Sequence, residues 1–316
     1  MTLGKTINQF AKTLFLLGAF VAVGFVASGE DKTARSVTVN PRAVINLCLG
    51  SGSITVRGED QNTVGVRVAE EARIDFRQLG GNEAGASSVP ATRLDVIISP
   101  AEESVALGEC FADNDVDLTV PRGATVHLKT RDGDIEVTDV GEAMLETMSG
   151  NLIARRIARG LEASTLGGDI SVSNAGGNVR LRAVSGNIEA ADLRSTEAAN
   201  EFEARTVSGD LSLEKIAQAR VDANTVSGDI TMDFSPARTG RYNVKTTSGD
   251  ITLAMPGNAS FQISARVKRG DLINDFDLKQ TAGAARNENH LEGSVGSGDA
   301  TITIYSFSGS IQLRRK

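Results

Sequence analysis

The chain has 316 residues, 33 Lys+Arg against 40 Asp+Glu for a net charge of −7, 33 Gly, two His, two Cys and no Trp. A chain this long buries a core of its own, which excludes a small disulfide-dependent scaffold. Its acidic balance argues against a nucleic-acid binder, which would carry a basic stripe.

Residues 1–29 read as a secretory signal peptide. Lys5 and Lys12 form a sparse basic start, TLFLLGAFVAVGFV (13–26) is apolar, and Ala27-Ser28-Gly29 is a small-residue exit. The apolar run is ~14 residues, short of the ~20 that span a bilayer. An uncleaved N-terminal anchor is the alternative. No Cys follows the apolar run, which argues against a lipoprotein. The mature chain is expected to carry no transmembrane helix and to work in the periplasm or at the cell surface.

Residues 30–129 read as an irregular N-terminal β region and cap. LGSGSITVRG (49–58) resembles one unit of the later repeats. VGVRVAE (64–70), LDVIISP (94–100) and VDLTVPRG (116–123) read as strands, and 78–92 as a small, polar loop. Cys48 and Cys110 are an even pair in a chain routed to an oxidising space, so a disulfide is expected. Two buried free thiols are the alternative. Neither Cys has a second Cys or a His close by in sequence, which disfavours a metal site.

From residue 130 the chain repeats itself, which marks a solenoid. The unit is a short β run, a Ser-Gly-Asp turn and a second β run, as in TLGGDISV (165–172), TVSGDLSL (206–213) and TTSGDITL (246–253). The turn glycines are Gly133, Gly150, Gly168, Gly186, Gly209, Gly228, Gly249, Gly270 and Gly309. Weaker half-repeats sit between them at 175–181, 238–244 and 296–304. Flanking residues alternate: Ile170 and Val172, or Leu211 and Leu213, point one way, and Ser171 and Ser212 the other. A unit of ~20 residues cannot bury its own apolar face, whereas stacked units bury a continuous column. The expected fold is all-β, a β-solenoid (β-helix) of about nine short-strand units over 130–316, preferred over a β-sandwich of hairpins. Residues 274–295 read as a loop insertion.

The Ser-Gly-Asp-Ile repeats, the strand ending in Val120-Pro121 and the ending GSGDATITIYSFSGSI (296–311) together resemble the bacterial "putative adhesin" domain of unknown function, over roughly 40–316. The resemblance implies a right-handed β-solenoid in an exported envelope protein. It supplies no catalytic residues, and the cysteine pair is not matched to it.

The chemistry-bearing residues are mostly repeated. Asp134, Asp169, Asp210, Asp229, Asp250 and Asp271 occupy equivalent turns, with Asn151, Asn178 and Asn187 in place of some. Stacked carboxylates repel, and a divalent cation would relieve that repulsion. The alternative is that Asp and Asn are turn formers beside Gly. Asp113-Asn114-Asp115-Val116-Asp117 opens like an EF-hand loop, but Leu118 stands where Gly is needed and Ala124 where Glu is needed. The turn serines (Ser149, Ser185, Ser208, Ser227, Ser248) repeat, whereas a catalytic Ser is needed once, with a His base. The histidines, His127 and His290, lie far apart in sequence. No catalytic residue, metal site or cofactor is assigned. With no Trp and only Tyr242 and Tyr305, the chain is poorly equipped for sugar stacking, and Phe202, Phe234, Phe261 and Phe276 read as core or corner filling.

The expected function is a non-enzymatic, adhesin-like structural or interaction protein of the envelope. It would bind an envelope protein or glycan, not nucleic acid, through repetitive solenoid faces. The alternatives are an envelope-stress signalling accessory and a polysaccharide-active β-helix enzyme.

Overall fold

The computed structural model describes residues 33–80, 90–100, 110, 112–195, 197, 199–280 and 289–316. Among them there is no helix, and none long and apolar enough to cross a membrane. The N-terminal region holds β1 (Ala34–Ser51), β2 (Ile54–Glu59), β3 (Thr63–Val68), β4 (Ala72–Leu79), β5 (Ala91–Pro100) and β6 (Val116–Pro121). Then come β7 (Thr125–Asp132), β8 (Ile135–Thr138), β9 (Glu142–Ser149), β10 (Leu152–Arg155), β11 (Gly160–Gly167), β12 (Ile170–Ser173), β13 (Asn178–Ser185) and β14 (Ile188–Leu193). They are followed by β15 (Glu201–Arg205), β16 (Leu211–Ile216), β17 (Arg220–Asn224), β18 (Ile230–Asp233), β19 (Arg241–Ser248) and β20 (Ile251–Met255). Last are β21 (Phe261–Arg269), β22 (Leu272–Asn274), β23 (Lys279–Gln280), β24 (His290–Val295), β25 (Ala300–Ser308) and β26 (Ile311–Arg315).

From β7 to β20 each coil contributes one strand to each of two facing sheets. Odd strands pair in parallel with the odd strand of the next coil, as β11 does with β9 and β13. Even strands do the same, as β12 does with β10 and β14. We call the even-strand layer sheet A and the odd-strand layer sheet B. Side-chain alternation in a strand has period two, so in-register stacking sends every second residue of every coil into one core. Ile135, Leu152, Ile170, Ile188, Leu211, Ile230 and Ile251 form one such column, all at most 1% exposed. Facing them across the core are Leu128, Leu145, Ala163, Leu181, Ala204, Ala223 and Val244. The four phenylalanines 202, 234, 261 and 276 are buried, as is Tyr242. Phe234 packs on Tyr242 with ring centroids 4.6 Å apart, and Phe261 meets Phe276 edge-on at 5.3 Å. The Tyr242 hydroxyl accepts the Ala237 N–H at 2.8 Å, and burial raises the phenol's pKa above its ordinary value despite that bond.

The order of coils departs from the order of the chain at both ends. At the N-terminal end β1 lies between β5 and β7, and β2 between β6 and β8. The unit at 49–58 is thus a coil of the stack, resting on β7 and β8. At the C-terminal end β25 lies between β19 and β21, and β26 between β20 and β22. The last coil of the sequence is therefore the penultimate coil in space. Three of the four end-strand edges are covered by antiparallel strands, which suppresses edge-to-edge association; among the described residues β22 pairs only with β26. β3 lies on β6 and β4 on β5 at one end, and β24 on β21 at the other. Arg35 closes the core at the N-terminal end, donating to the Ile74 carbonyl and lying over the Phe76 ring.

Two expectations need correction. The segment 274–295 is not a plain loop: β24 pairs with β21 from Phe261↔Val295 to Arg266↔His290, and β23 pairs with β24. An exposed edge strand favours a partner over solvent, so this polar stretch orders as a hairpin cover. Its residues 281–288 lie outside the described residues. In the expected loop at 78–92, residues 78–79 belong to β4 and 91–92 to β5, while 81–89 lie outside the described residues. β4 itself carried too weak an alternation to be expected.

Candidate binding face

The repeated turn residues are occupied by backbone chemistry. Gly168 has φ +147°, and a Cβ there would stand 2.0 Å from the Gly150 carbonyl oxygen. Each turn glycine thus sits directly against the one in the coil before it, from Gly52 through Gly133 to Gly249, then Gly309 and Gly270. The threonine three residues before the glycine turns inward. Thr165 donates to Gly150 O at 3.2 Å, Thr206 to Gly186 O at 3.0 Å, Thr225 to Gly209 O at 3.1 Å and Thr246 to Gly228 O at 3.2 Å. This role was not read from the sequence, although the Thr recurs in the motif; Ala183 breaks the series and cannot donate.

The turn acids are the next step of the same ladder. Asp169 Oδ1 accepts the Asn187 N–H at 2.7 Å, Asp210 Oδ1 the Asp229 N–H at 2.8 Å and Asp229 Oδ1 the Asp250 N–H at 2.7 Å. Asn151 and Asn187 do likewise for Asp169 and Asp210, at 2.9 Å each. Asp and Asn interchange because only an acceptor oxygen is needed. Asn178 does not belong to this series: it opens β13, and its Oδ1 accepts the Glu201 N–H. The 113–117 segment is the turn of the end coil, with Asp115 Oδ1 accepting the Ser53 N–H at 2.7 Å and Asn114 bonded to Ala69, Glu70 and the Glu70 carbonyl. Among the described residues no three His, Cys, Asp or Glu side chains are grouped to hold a metal.

The second corner, after the sheet A strands, uses left-handed residues other than glycine. Asp139, Arg156, Asn174, Asp192 and Lys215 have φ between 52° and 61°. Their side chains offset that cost by pairing along the stack: Arg156 grips Asp139 through two bonds of 2.8 and 2.7 Å, and Lys215 meets Asp192 at 3.2 Å. The Arg156 hydrogen bond lowers the Asp139 pKa. Gln218 is fully buried there and donates to Gly177 O and Arg194 O.

The outer face of sheet B is where non-repeated chemistry gathers. Near its N-terminal end a trough is lined by Asn46, Arg77, Arg93, Asp95, Lys129 and Glu146. His127 and Met144 form its far wall and also line a second hollow with Glu142, Arg159, Asn178, Arg180 and Glu203. Asn46 Nδ2 donates to Asp95 Oδ1 at 2.6 Å, Arg93 meets Asp95 at 3.3 Å, and Lys129 meets Glu146 at 3.1 Å. Cys48 faces outward in the trough and is bridged to Cys110, Cα to Cα 5.0 Å. The disulfide ties Cys110 to β1 on this face. His290 is elsewhere, on β24, with Nε2 3.4 Å from Glu292. The structure therefore does not bring the two histidines together.

Glu203 is the hub of the second hollow. It meets Arg180 at 3.1 Å, Arg182 at 3.2 Å and Arg205 at 3.1 Å with only 18% of its side chain exposed. Burial pushes its pKa up, but the Arg180 hydrogen bond and the charges of Arg205 and Arg182 outweigh that and hold the carboxyl below the usual Glu value. A pKa depressed by folding contributes stability that is complete above the unfolded value and is lost as pH falls through the folded one. Glu203→Gln is accordingly expected to flatten the acid limb of a melting-temperature profile taken from about pH 6 to 3. An unchanged acid limb would remove Glu203 from the account.

The Toastrack DUF4097 family profile matches residues 47–314. No curated protein matches the chain. Among solved structures it is similar to a "putative cell adhesion protein" of Clostridium sporogenes, at 12% identity over 90% of this chain and 99% of that one, with a TM-score of 0.24. It is also similar to "putative adhesins" of Parabacteroides distasonis (12% identity, 89% and 96% covered, TM-score 0.40) and Bacteroides fragilis (14% identity, 89% and 95% covered, TM-score 0.38). With its profile match running from the last part of β1 into β26, the chain belongs to the Toastrack DUF4097 family.

Proposed function

We propose that this protein is an exported, non-enzymatic, adhesin-like binding protein of the bacterial envelope, and that the trough on sheet B is its ligand site. The observation carrying the proposal is that Arg77, Arg93, Lys129, His127 and Met144 converge in one hollow beside the disulfide, while the repeated acids and threonines are committed to backbone bonds. A concave site with a few convergent polar groups is where a ligand gains most contact per group. The same reading takes the winding as right-handed, with about nine repeat units after residue 130, and the mature protein as periplasmic or surface-exposed. Its ligand is an envelope protein or a glycan, met by the paired charges Arg93–Asp95 and Lys129–Glu146 and by Arg77.

Photo-cross-linking in cells tests this. A photoreactive residue in place of Met144 is expected to give discrete envelope adducts that Arg93→Ala with Lys129→Ala abolishes. The same residue in place of Thr231, exposed on sheet A, is expected to give none. Equal labelling from both positions, or adducts indifferent to the two substitutions, would reject the trough as the site.

A further inference from the structure

The residue between the inward Thr and the Ser-Gly turn points to solvent, and in five successive coils it is apolar. Met148, Leu166, Val184, Val207 and Val226 are 50, 50, 42, 46 and 49% exposed. They are aligned: Thr147, Thr165 and Ala183 are partners in the sheet, and Ser185, Ser208, Ser227 and Ser248 are bridged in sequence along the next column. At ~4.8 Å per coil the five make an unbroken aliphatic ridge ~19 Å long. After Thr247 the line resumes at Phe307, 39% exposed with Arg269 over its ring. Scattered surface apolar residues need no explanation, but a contiguous row marks an interaction surface.

The two flanks of the ridge differ in charge. Two residues before the ridge position stand Glu146, Ser164, Arg182, Arg205, Asn224 and Lys245, so this row is basic only from Arg182 onward, with Arg182, Arg205 and Lys245 exposed on the outer face of sheet B. Glu203 lies one row beyond Arg182 and Arg205 and draws on both. Three residues after the ridge position stand Asp169, Asp210, Asp229 and Asp250, also exposed. From Val184 to Thr247 the surface therefore carries a partly basic row, the ridge and a mostly acidic row side by side along the stack, with Asn187 the one neutral member of the acidic row there.

This pattern is complementary to itself in one arrangement only. With a two-fold axis parallel to the stack, ridge meets ridge, each basic flank faces the partner's acidic flank, and every ridge residue lies opposite its own copy. With the axis perpendicular to the stack, the acidic row faces the partner's acidic row and repels it. We infer that the ridge is the interface of a parallel side-by-side homodimer. From Met148 to Phe307 and across both flanks the surface measures roughly 29 by 20 Å, or about 1,200 Å² buried in total, at the low end of specific interfaces. Reversible association with a dissociation constant in the micromolar range is expected.

Sedimentation velocity of the purified protein over a range of concentrations, combined with single-cysteine variants, tests the inference. The native cysteines are already bridged to each other. The expected results are a monomer–dimer equilibrium weakened at least ~10-fold by Val207→Asp, and by 0.5 M salt to a lesser degree. Leu166→Cys and Val226→Cys are each expected to self-cross-link under mild oxidation. Because both positions are exposed, the variants should melt as the parent does. Cross-linking at Val184→Cys alone would mean the perpendicular arrangement and overturn the parallel one. A monomer at ~100 µM, or capture of a different protein by the cysteine variants while the purified chain stays monomeric, would overturn the homodimer.

Discussion

Gly168→Ala is expected to lower the free energy of unfolding by ~3–5 kcal/mol, the range reached when a side chain is forced into strained, fully occupied backbone. Two costs act together. At φ +147° an L-residue is strained whatever the space, and the added Cβ would lie 2.0 Å from Gly150 O and 2.5 Å from its carbon. Relief requires the two coils to separate, which would stretch the Asp169 N–H to Asn151 Oδ1 bond and the Leu152 N–H to Asp169 O bond beside it. The damage should spread because a stack is held by nearest-neighbour contacts. Urea unfolding of Gly168→Ala beside Ser208→Ala checks this, since Ser208 is exposed and its loss should stay within ~0.5 kcal/mol. Equal midpoints for the two variants would mean that the turn column tolerates a side chain.

Opening the Cys48–Cys110 bridge is expected to cost ~4 kcal/mol in the chain-entropy description of a 62-residue separation. The closed loop contains β2 through β5, so it ties the outermost coil to the second. The order of coils at this end makes the bridge matter: β5 and β6 lie beside β1 and β2 through long-range pairings such as Ile45↔Leu94 and Ile54↔Val116. Reduction, or Cys48→Ser with Cys110→Ser, should therefore lower the urea midpoint. It should also raise hydrogen exchange in β2–β6, while the stack from β11 to β18 keeps its protection. Uniform loss of protection along the whole stack would show that the bridge secures every coil rather than the end.

Much of the architecture was legible because its causes are local. A glycine beside Asp or Asn between two alternating runs makes a turn wherever it occurs, and nine such turns at near-constant spacing leave stacking as the way to bury the alternating face. The buried pattern at Ile170 and Val172, or Leu211 and Leu213, follows directly. The roles inside the turn were harder to read. Thr165 was visible as part of a motif, but its inward turn toward Gly150 O depends on a neighbour fifteen residues away. Asp229 reads as a turn former or as a cation ligand, and the structure adds a third use, acceptor for the backbone of the following coil.

The sequence by itself determined the all-β class, the repeating unit, its turn glycines and the inward faces of its strands, because each depends on backbone chemistry within a few residues. Only the tertiary structure decided the order of coils at the two ends, the hairpin cover at 290–295, the trough shared by His127 and Met144, and the Glu203 cluster. The physical reason is that near-identical units offer near-identical edges. Which edge meets which is then settled by long-range pairing, by the need to cover the last strand at each end, and by side chains that become neighbours only once the coils are stacked.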